Sequence, residues 1–310
     1  MEKNNTTSWT EFILLGFLSQ TKAPAAVLSL LIFMFLMVLS ENCLLLYLIK
    51  VDSGLQSPMY FFLSQLSIMD ICQTLAIGPK MTANFLMKRN VITLTGCSIQ
   101  LFFIVSMAGA EFFLLGVMSY DRYVAICKPL LSPVLMRRNI CLSLTAGVWC
   151  GASLNALVPA VYVLLQPYCG SNVIEHIFCE LPSMLRLSCS DTSAFQRVAF
   201  FISVELLLPP LSTILVSYTC ILITVLRSAG KSHKALGTCF SHLLVVGLFY
   251  GAAIFKYLRP MSYRTPFQDD MVSLFCTIVT PTLNPLIYSL RNRDVLEALK
   301  KLLRKHTIGL

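Results

Sequence analysis

The chain predicts an all-α integral membrane protein: one bundle of seven spanning helices, with a short amphipathic helix after the last. Three observations lead there. Of the 310 residues, 56% are hydrophobic and only 13% charged, more apolar side chain than a water-soluble domain has interior to hide. The apolar residues are gathered into runs that each reach the roughly 20 residues needed to cross a bilayer. The net charge of +9 is spread over connections between those runs. No basic patch carries interleaved aromatics, which argues against nucleic acid and for membrane topology.

The runs fall at 24–50, 57–80, 96–126, 140–165, 196–226, 236–259 and 268–290, within one domain filling 1–310. Residues 1–23 precede them and 291–310 form a tail. Connections after the odd-numbered runs hold Lys50, Lys128, Arg137, Arg138, Arg227, Lys231, Lys234, Arg291 and Arg293. The positive-inside rule makes that side cytoplasmic and the N-terminus external. The opposite connections mix Lys88, Arg89, Arg186 and Arg264 with Glu175, Glu180, Asp191, Asp269 and Asp270. Asn4 and Asn5 each begin an N-x-Thr glycosylation acceptor, usable on that external side. The apolar stretch Phe12–Leu18 is short, contains Gly16 and follows Glu11, so it does not read as a cleavable signal.

Each run carries its own polar exceptions. The first holds Glu41 and Asn42, the second Asp70, the third Glu111, and the fifth Glu205. Ionisable groups at membrane depth mark function or a buried pair. Asp70 and Glu111, with Asn42 and Asn284 near, would line a small wet cavity, whose oxygens suit a sodium ion or a proton; the alternative is a protonated acid bonded to its neighbour. The third run ends in Asp121-Arg122-Tyr123, where lipid gives way to water; on its own this triplet also suits a snorkelling helix end. The fifth run contains Pro209, Pro210 and Tyr218, the sixth His242. In the seventh, Pro285 predicts a kink beside Asn284 and Tyr288. In the tail, Val295, Leu296, Leu299, Leu302 and Leu303 share a face flanked by Lys300, Lys301 and Arg304, which predicts a basic helix lying on the inner leaflet.

Eight of the twelve cysteines fall in helices or on the cytoplasmic side, where a reduced packing residue is the default. Cys97, Cys169, Cys179 and Cys189 fall outside. Four cysteines admit three pairings. Linking Cys97 to Cys179 would pin the long loop 166–195 over the third run and leave Cys169–Cys189 to close that loop on itself. A zinc site is the competing reading, without a C-x-x-C spacing to support it. No phosphate loop, H-E-x-x-H or nucleophile elbow is present, so the chain does not read as an enzyme and calls for no cofactor beyond the possible sodium ion.

Together these motifs identify a family resemblance. Leu55–Asp70, Met118–Pro129, Lys234–Leu243 and Pro281–Asn292 resemble the helix-two, -three, -six and -seven signatures of odorant receptors, within the rhodopsin-like G-protein-coupled receptors. Phe249-Tyr250-Gly251 is similar to the tetrapod-type (class II) branch. Glu41, Gln56, Ser132 and Gly237 depart from the usual glycine, histidine, tyrosine and serine.

The resemblance implies binding of a small, mostly apolar odorant and activation of a stimulatory olfactory G protein that raises cyclic AMP. The implied pocket lies in the outer half of the bundle. Its candidate lining is Ile104, Val105, Ala108 and Gly109 on helix three, and Ile202, Ser203 and Leu206 on helix five. Tyr250, Ala253, Ile254 and Tyr257 on helix six and Thr277 on helix seven complete it. The implied switch comprises Asp121, Arg122, Tyr123, Tyr218, His242, Asn284, Pro285 and Tyr288. At rest Arg122 would lie against Asp121 or a helix-six group. Ile104 stands where amine receptors of this fold carry an acid, and helix seven has no lysine for a retinal Schiff base, which disfavours both ligands. Competing readings are a chemosensor of the same family outside the nose and a small-solute transporter; no internal repeat supports the latter.

Overall fold

The computed structural model describes residues 9–15, 22–87, 90–227, 232–257, 265–291 and 293–308. Seven helices among them are long and apolar enough to cross a membrane. These are α1 (Pro24–Val51), α2 (Pro58–Leu86), α3 (Leu94–Cys127), α4 (Arg138–Leu165), α5 (Ser193–Arg227), α6 (Ser232–Tyr257) and α7 (266–291); α8 (Arg293–Ile308) follows. Pro24 opens α1 where a missing N–H costs nothing. The Thr93 hydroxyl caps α3 by accepting the Gly96 N–H at 3.1 Å. α2 continues through Pro79 to Leu86.

α3 is the central element. Of its most apolar stretch 67% is buried inside the bundle, against 28% for α1. Two glycines make this closeness possible. A Cβ on Gly109 would meet Ala152 of α4 at 3.5 Å and Leu206 of α5 at 3.6 Å, and one on Gly116 would meet the Pro210 ring at 3.0 Å. The main core packs around α3, with Met107, Leu114, Leu115 and Met118 among Phe62, Leu66, Ile214, Val245 and Phe249.

α7 is not uniform. Pro266–Leu274 is α-helical, Phe275–Val279 is wound as a π-helix, and Thr280–Arg291 is α-helical again with Pro285 inside it. The irregular winding lies before Pro281, whose missing N–H already interrupts the ladder at that place. Pro285 likewise leaves the carbonyl of Pro281 without its usual intrahelical donor. Asn42 of α1 supplies the replacement, donating to the Pro281 oxygen at 3.3 Å and to Val38 at 3.0 Å. Thus Asn42, expected beside the buried acids, spends its donors on backbone and ties α1 to α7.

At one end of the bundle a small sheet runs in the order β2-β1-β3, where β1 is Glu11–Leu14, β2 Val91–Thr93 and β3 Val173–Ile174. β1 pairs antiparallel with β2, Phe12 opposite Ile92, and parallel with β3, Ile13 opposite Val173. Phe12 is fully buried, its ring edge-on to Tyr168 at 5.0 Å. Trp9 Nε1 donates to the Gly170 carbonyl at 3.0 Å, in a turn where Gly170 takes φ +75°. Cys97 is bonded to Cys179 and Cys169 to Cys189, with Cα–Cα distances of 5.3 and 5.7 Å. At the opposite end Tyr60 donates to Asp294 at 3.1 Å and Lys301 pairs with Asp52 at 3.2 Å. Val295 and Ala298 of α8 are buried in the main core, with Leu299 and Leu302 packed against it.

Candidate functional site

At the α8 end of the bundle, Arg122 is held by its own helix. Its Nη2 donates to Asp121 Oδ2 at 2.9 Å, with the Asp121 side chain 5% exposed and the Arg122 side chain 19%. A charge-assisted bond so sheltered is stronger than a surface pair. Across from it, the Tyr218 hydroxyl of α5 and Nδ1 of His242 on α6 are 2.7 Å apart, with the rings stacked. Tyr288 of α7 is buried in the main core with Met118 and Val124 of α3, and Tyr123 and Tyr218 pack against that core. Tyr123 is half-buried, its ring 5.8 Å from Lys128 Nζ.

Midway along the bundle, Asn284 of α7 joins the two acids. Its Nδ2 lies 3.2 Å from Glu111 Oε1, and 3.3 and 3.5 Å from the two Asp70 oxygens. All three residues are 1% exposed. Two carboxyls sharing one amide donor form a closed polar contact between α2, α3 and α7. Among the described residues no group of three or more His, Cys, Asp or Glu side chains is placed to hold a metal ion. Glu41 has a buried carboxyl oxygen without a hydrogen-bond partner, and Glu205 faces outward from α5.

Toward the disulfide-bearing end, several of the expected lining residues converge on α3. Tyr250 donates to the Phe112 carbonyl at 3.2 Å and sets its ring edge-on to Phe112 at 5.0 Å. Gly109 abuts Leu206, as its neighbour distances show. Ile104 and Leu274 pack against the core cluster that contains Phe178 and Ile278, and Thr277 is buried. Val105 packs instead against the outer cluster that contains Tyr168, Cys97 and Cys179. Ala253 is buried, and Ala108, Ile202 and Ser203 are half-buried. The Ser203 hydroxyl is spent on the Ala199 carbonyl at 2.8 Å, and Thr277 on Ser273 at 2.7 Å. Ile254 is 41% exposed and turns away from this group. Asn4, Asn5 and the Tyr257 side chain lie outside the described residues.

An apolar groove of 150 Å³ lies elsewhere, between α1 and α2, lined by Ile32, Phe35, Leu36, Thr74, Gly78 and Pro79 among others. None of the expected ligand residues borders it. Its lining residues Leu36 and Leu75 are 60% and 52% exposed, so this groove opens on the outer surface of the bundle.

Above the Ile104 cluster sits a buried ion cluster that includes Glu180 and Asp270, two acids the sequence places in connections between the runs. Glu180 and His176 of the long connection meet Lys256 of α6 and Asp270 and Ser273 of α7, and all five are buried. Lys256 is ion-paired with Glu180 and donates to Ser273 at 2.8 Å; Ser273 donates to Glu180 at 3.0 Å. His176 Nε2 lies 3.3 Å from Glu180 and 3.1 Å from Asp270. Burial by itself would raise the Glu180 carboxyl. Lys256 and His176 beside it, with the two donated bonds, outweigh burial and hold the group down at about 2. Nothing local in the sequence links His176 and Glu180, which lie in a non-helical stretch of the loop, to Lys256 or Asp270.

Comparison with known proteins now adds to this geometry. A family model described as olfactory receptor matches residues 31–306. Human olfactory receptor 2T27 is 49% identical over 303 residues, covering 97% of this chain and 96% of that protein. Mouse olfactory receptor 2V1 is 49% identical over 307 residues, covering 98% of each. Human olfactory receptor 2T11 is 49% identical over 300 residues, covering 95% of this chain and 94% of that protein.

Proposed function

The chain belongs to the olfactory receptor family, and on that premise we propose that it binds a small, mostly apolar odorant and activates the stimulatory olfactory G protein. In this reading the N-terminus and the disulfides face outward and α8 lies on the inner leaflet, in a multi-pass plasma-membrane protein. The ligand occupies the outer half of the bundle, among Ile104, Gly109, Leu206, Tyr250, Ala253 and Thr277. Shape and burial dominate its binding, with one or two hydrogen bonds.

The observation that carries the reading is the closed arrangement around Arg122. Its guanidinium is turned to Asp121 while Tyr218 is engaged by His242. A ligand that favours an arrangement with α6 displaced shifts the population toward it, by no more than its differential affinity. Separation of His242 from Tyr218 then releases Arg122 to Tyr218, Tyr288 and the arriving G protein. The Asp70–Glu111–Asn284 contact, whose oxygens also suit a proton or a sodium ion, holds α2, α3 and α7 in register during the change.

The test is a cyclic-AMP assay in cells carrying the olfactory G protein, with surface delivery verified by antibody and a broad odorant panel. A dose-dependent response to at least one volatile is expected. Silence across the panel at proven surface expression would overturn the proposal.

A further inference from the structure

The buried ion cluster joins three separate parts of the chain, the long loop, α6 and the start of α7. Glu180 follows directly on Cys179, which the disulfide and the bond from Cys179 N–H to Gln100 Oε1, at 2.9 Å, fix to α3. Lys256 lies one to two turns beyond Ala253 and Tyr250 on the inward side of α6, 6.0 Å from the Phe178 ring. Asp270 and Ser273 stand in the segment of α7 that leads into the π-helical winding. The fixed point is thus the α3-anchored loop, and the held parts are α6 and α7.

We propose that Lys256, Glu180, Ser273, Asp270 and His176 form a latch that clamps the outer ends of α6 and α7 to the long loop and sets the receptor's ligand-free activity. The inference rests on the reading above, in which displacement of α6 is the output. Its physical basis is the cost of opening. Lys256 cannot move from the loop without leaving Glu180, a carboxylate buried and held ionised by that contact, and breaking a buried pair from one side is far costlier than breaking a surface one. The restraint therefore acts as a threshold. An odorant must favour the displaced arrangement strongly enough to open the latch, and weakening the latch makes the unliganded receptor more active. Because Ser273 bridges Lys256 and Glu180, the same opening frees the first part of α7.

The test uses the full-length receptor with Lys256→Met, Glu180→Gln and the double substitution. Both changes keep roughly the side-chain volume and remove the charge. Three quantities are measured: ligand-free cyclic AMP per surface receptor, the thermal unfolding midpoint of purified protein, and the emission of a fluorophore at the inner end of α6. Each single variant is expected to raise ligand-free cyclic AMP by about threefold or more, to lower the midpoint and to shift the fluorophore signal. The double variant should do less than the sum of the two single ones, since both remove the shared Lys256–Glu180 contact. Lower midpoints with unchanged fluorophore signal and unchanged cyclic AMP would make the cluster a structural tether and overturn the proposal. Additive effects in the double variant would overturn it too. A fluorophore shift without any cyclic-AMP change would instead uphold the latch and count against the proposed G-protein coupling.

Discussion

Gly116→Ala and Gly109→Ala make the same chemical change on one helix, two turns apart, and the structure assigns them different outcomes. A Cβ at 116 would lie 3.0 Å from Pro210 Cβ, 3.3 Å from its Cα and 3.5 Å from its carbonyl oxygen. Those atoms belong to a ring and a backbone that no side-chain rotation can move. α3 and α5 must separate by a few tenths of an ångström, and overpacking of this kind costs about 1–3 kcal/mol. A Cβ at 109 would meet Ala152 and Leu206 at 3.5 and 3.6 Å, ordinary contact. Alanine also removes backbone freedom from the unfolded chain, worth about 0.4–1 kcal/mol in its favour. Gly109→Ala is therefore expected to be neutral or slightly stabilising. The assay is thermal unfolding of detergent-solubilised receptor, followed by a dye that reacts with newly exposed cysteines, with surface fraction measured in cells. Gly116→Ala should unfold several degrees below wild type and reach the surface poorly. If it matches or exceeds Gly109→Ala, the close approach of α3 and α5 at Pro210 is wrong.

Arg122→Ala should abolish the cyclic-AMP response while surface staining stays near wild type; a retained response would remove Arg122 from the switch. The Cys97–Cys179 bridge spans 82 residues and Cys169–Cys189 spans 20. Loop-closure entropy then makes the first worth roughly 4–5 kcal/mol and the second roughly 3. Cys97→Ser or Cys179→Ser should abolish surface delivery and Cys169→Ser reduce it less; equal delivery in all three would contradict the ordering. Glu180 is held at about 2, below its ordinary value. Its contribution is complete above the unfolded value of roughly 4.5 and is lost as pH falls toward 2. The difference in unfolding midpoint between wild type and Glu180→Gln should persist from pH 8 to 5 and narrow below about 4.5; a difference lost already near pH 6 would contradict the ion pair.

What was legible in the chain was whatever depends on local pattern. Apolar run length carries the seven spans, and the leucine face of the tail carries α8. Asp121-Arg122-Tyr123 is readable because charges at a span's end are conspicuous in a chain so poor in them. Contacts between distant parts were not legible. Glu11–Leu14 looks like a short apolar fragment until β2 and β3 come beside it from 80 and 160 residues away. Glu180 and Asp270 looked like loop acids because burial is a property of the folded molecule. Pro285 was readable as a break, yet the π-helical winding sits earlier, at Phe275–Val279, ahead of Pro281. Asn42 was legible as a polar exception in the first span, but its bond to the Pro281 carbonyl that Pro285 frees was not.

The most direct test of the account follows α6 itself. With labels at the inner ends of α3 and α6 in purified receptor, their separation is measured before and after an odorant that raises cyclic AMP. The account predicts that the separation grows with odorant dose, in parallel with the response. An unchanged separation at saturating odorant would contradict it.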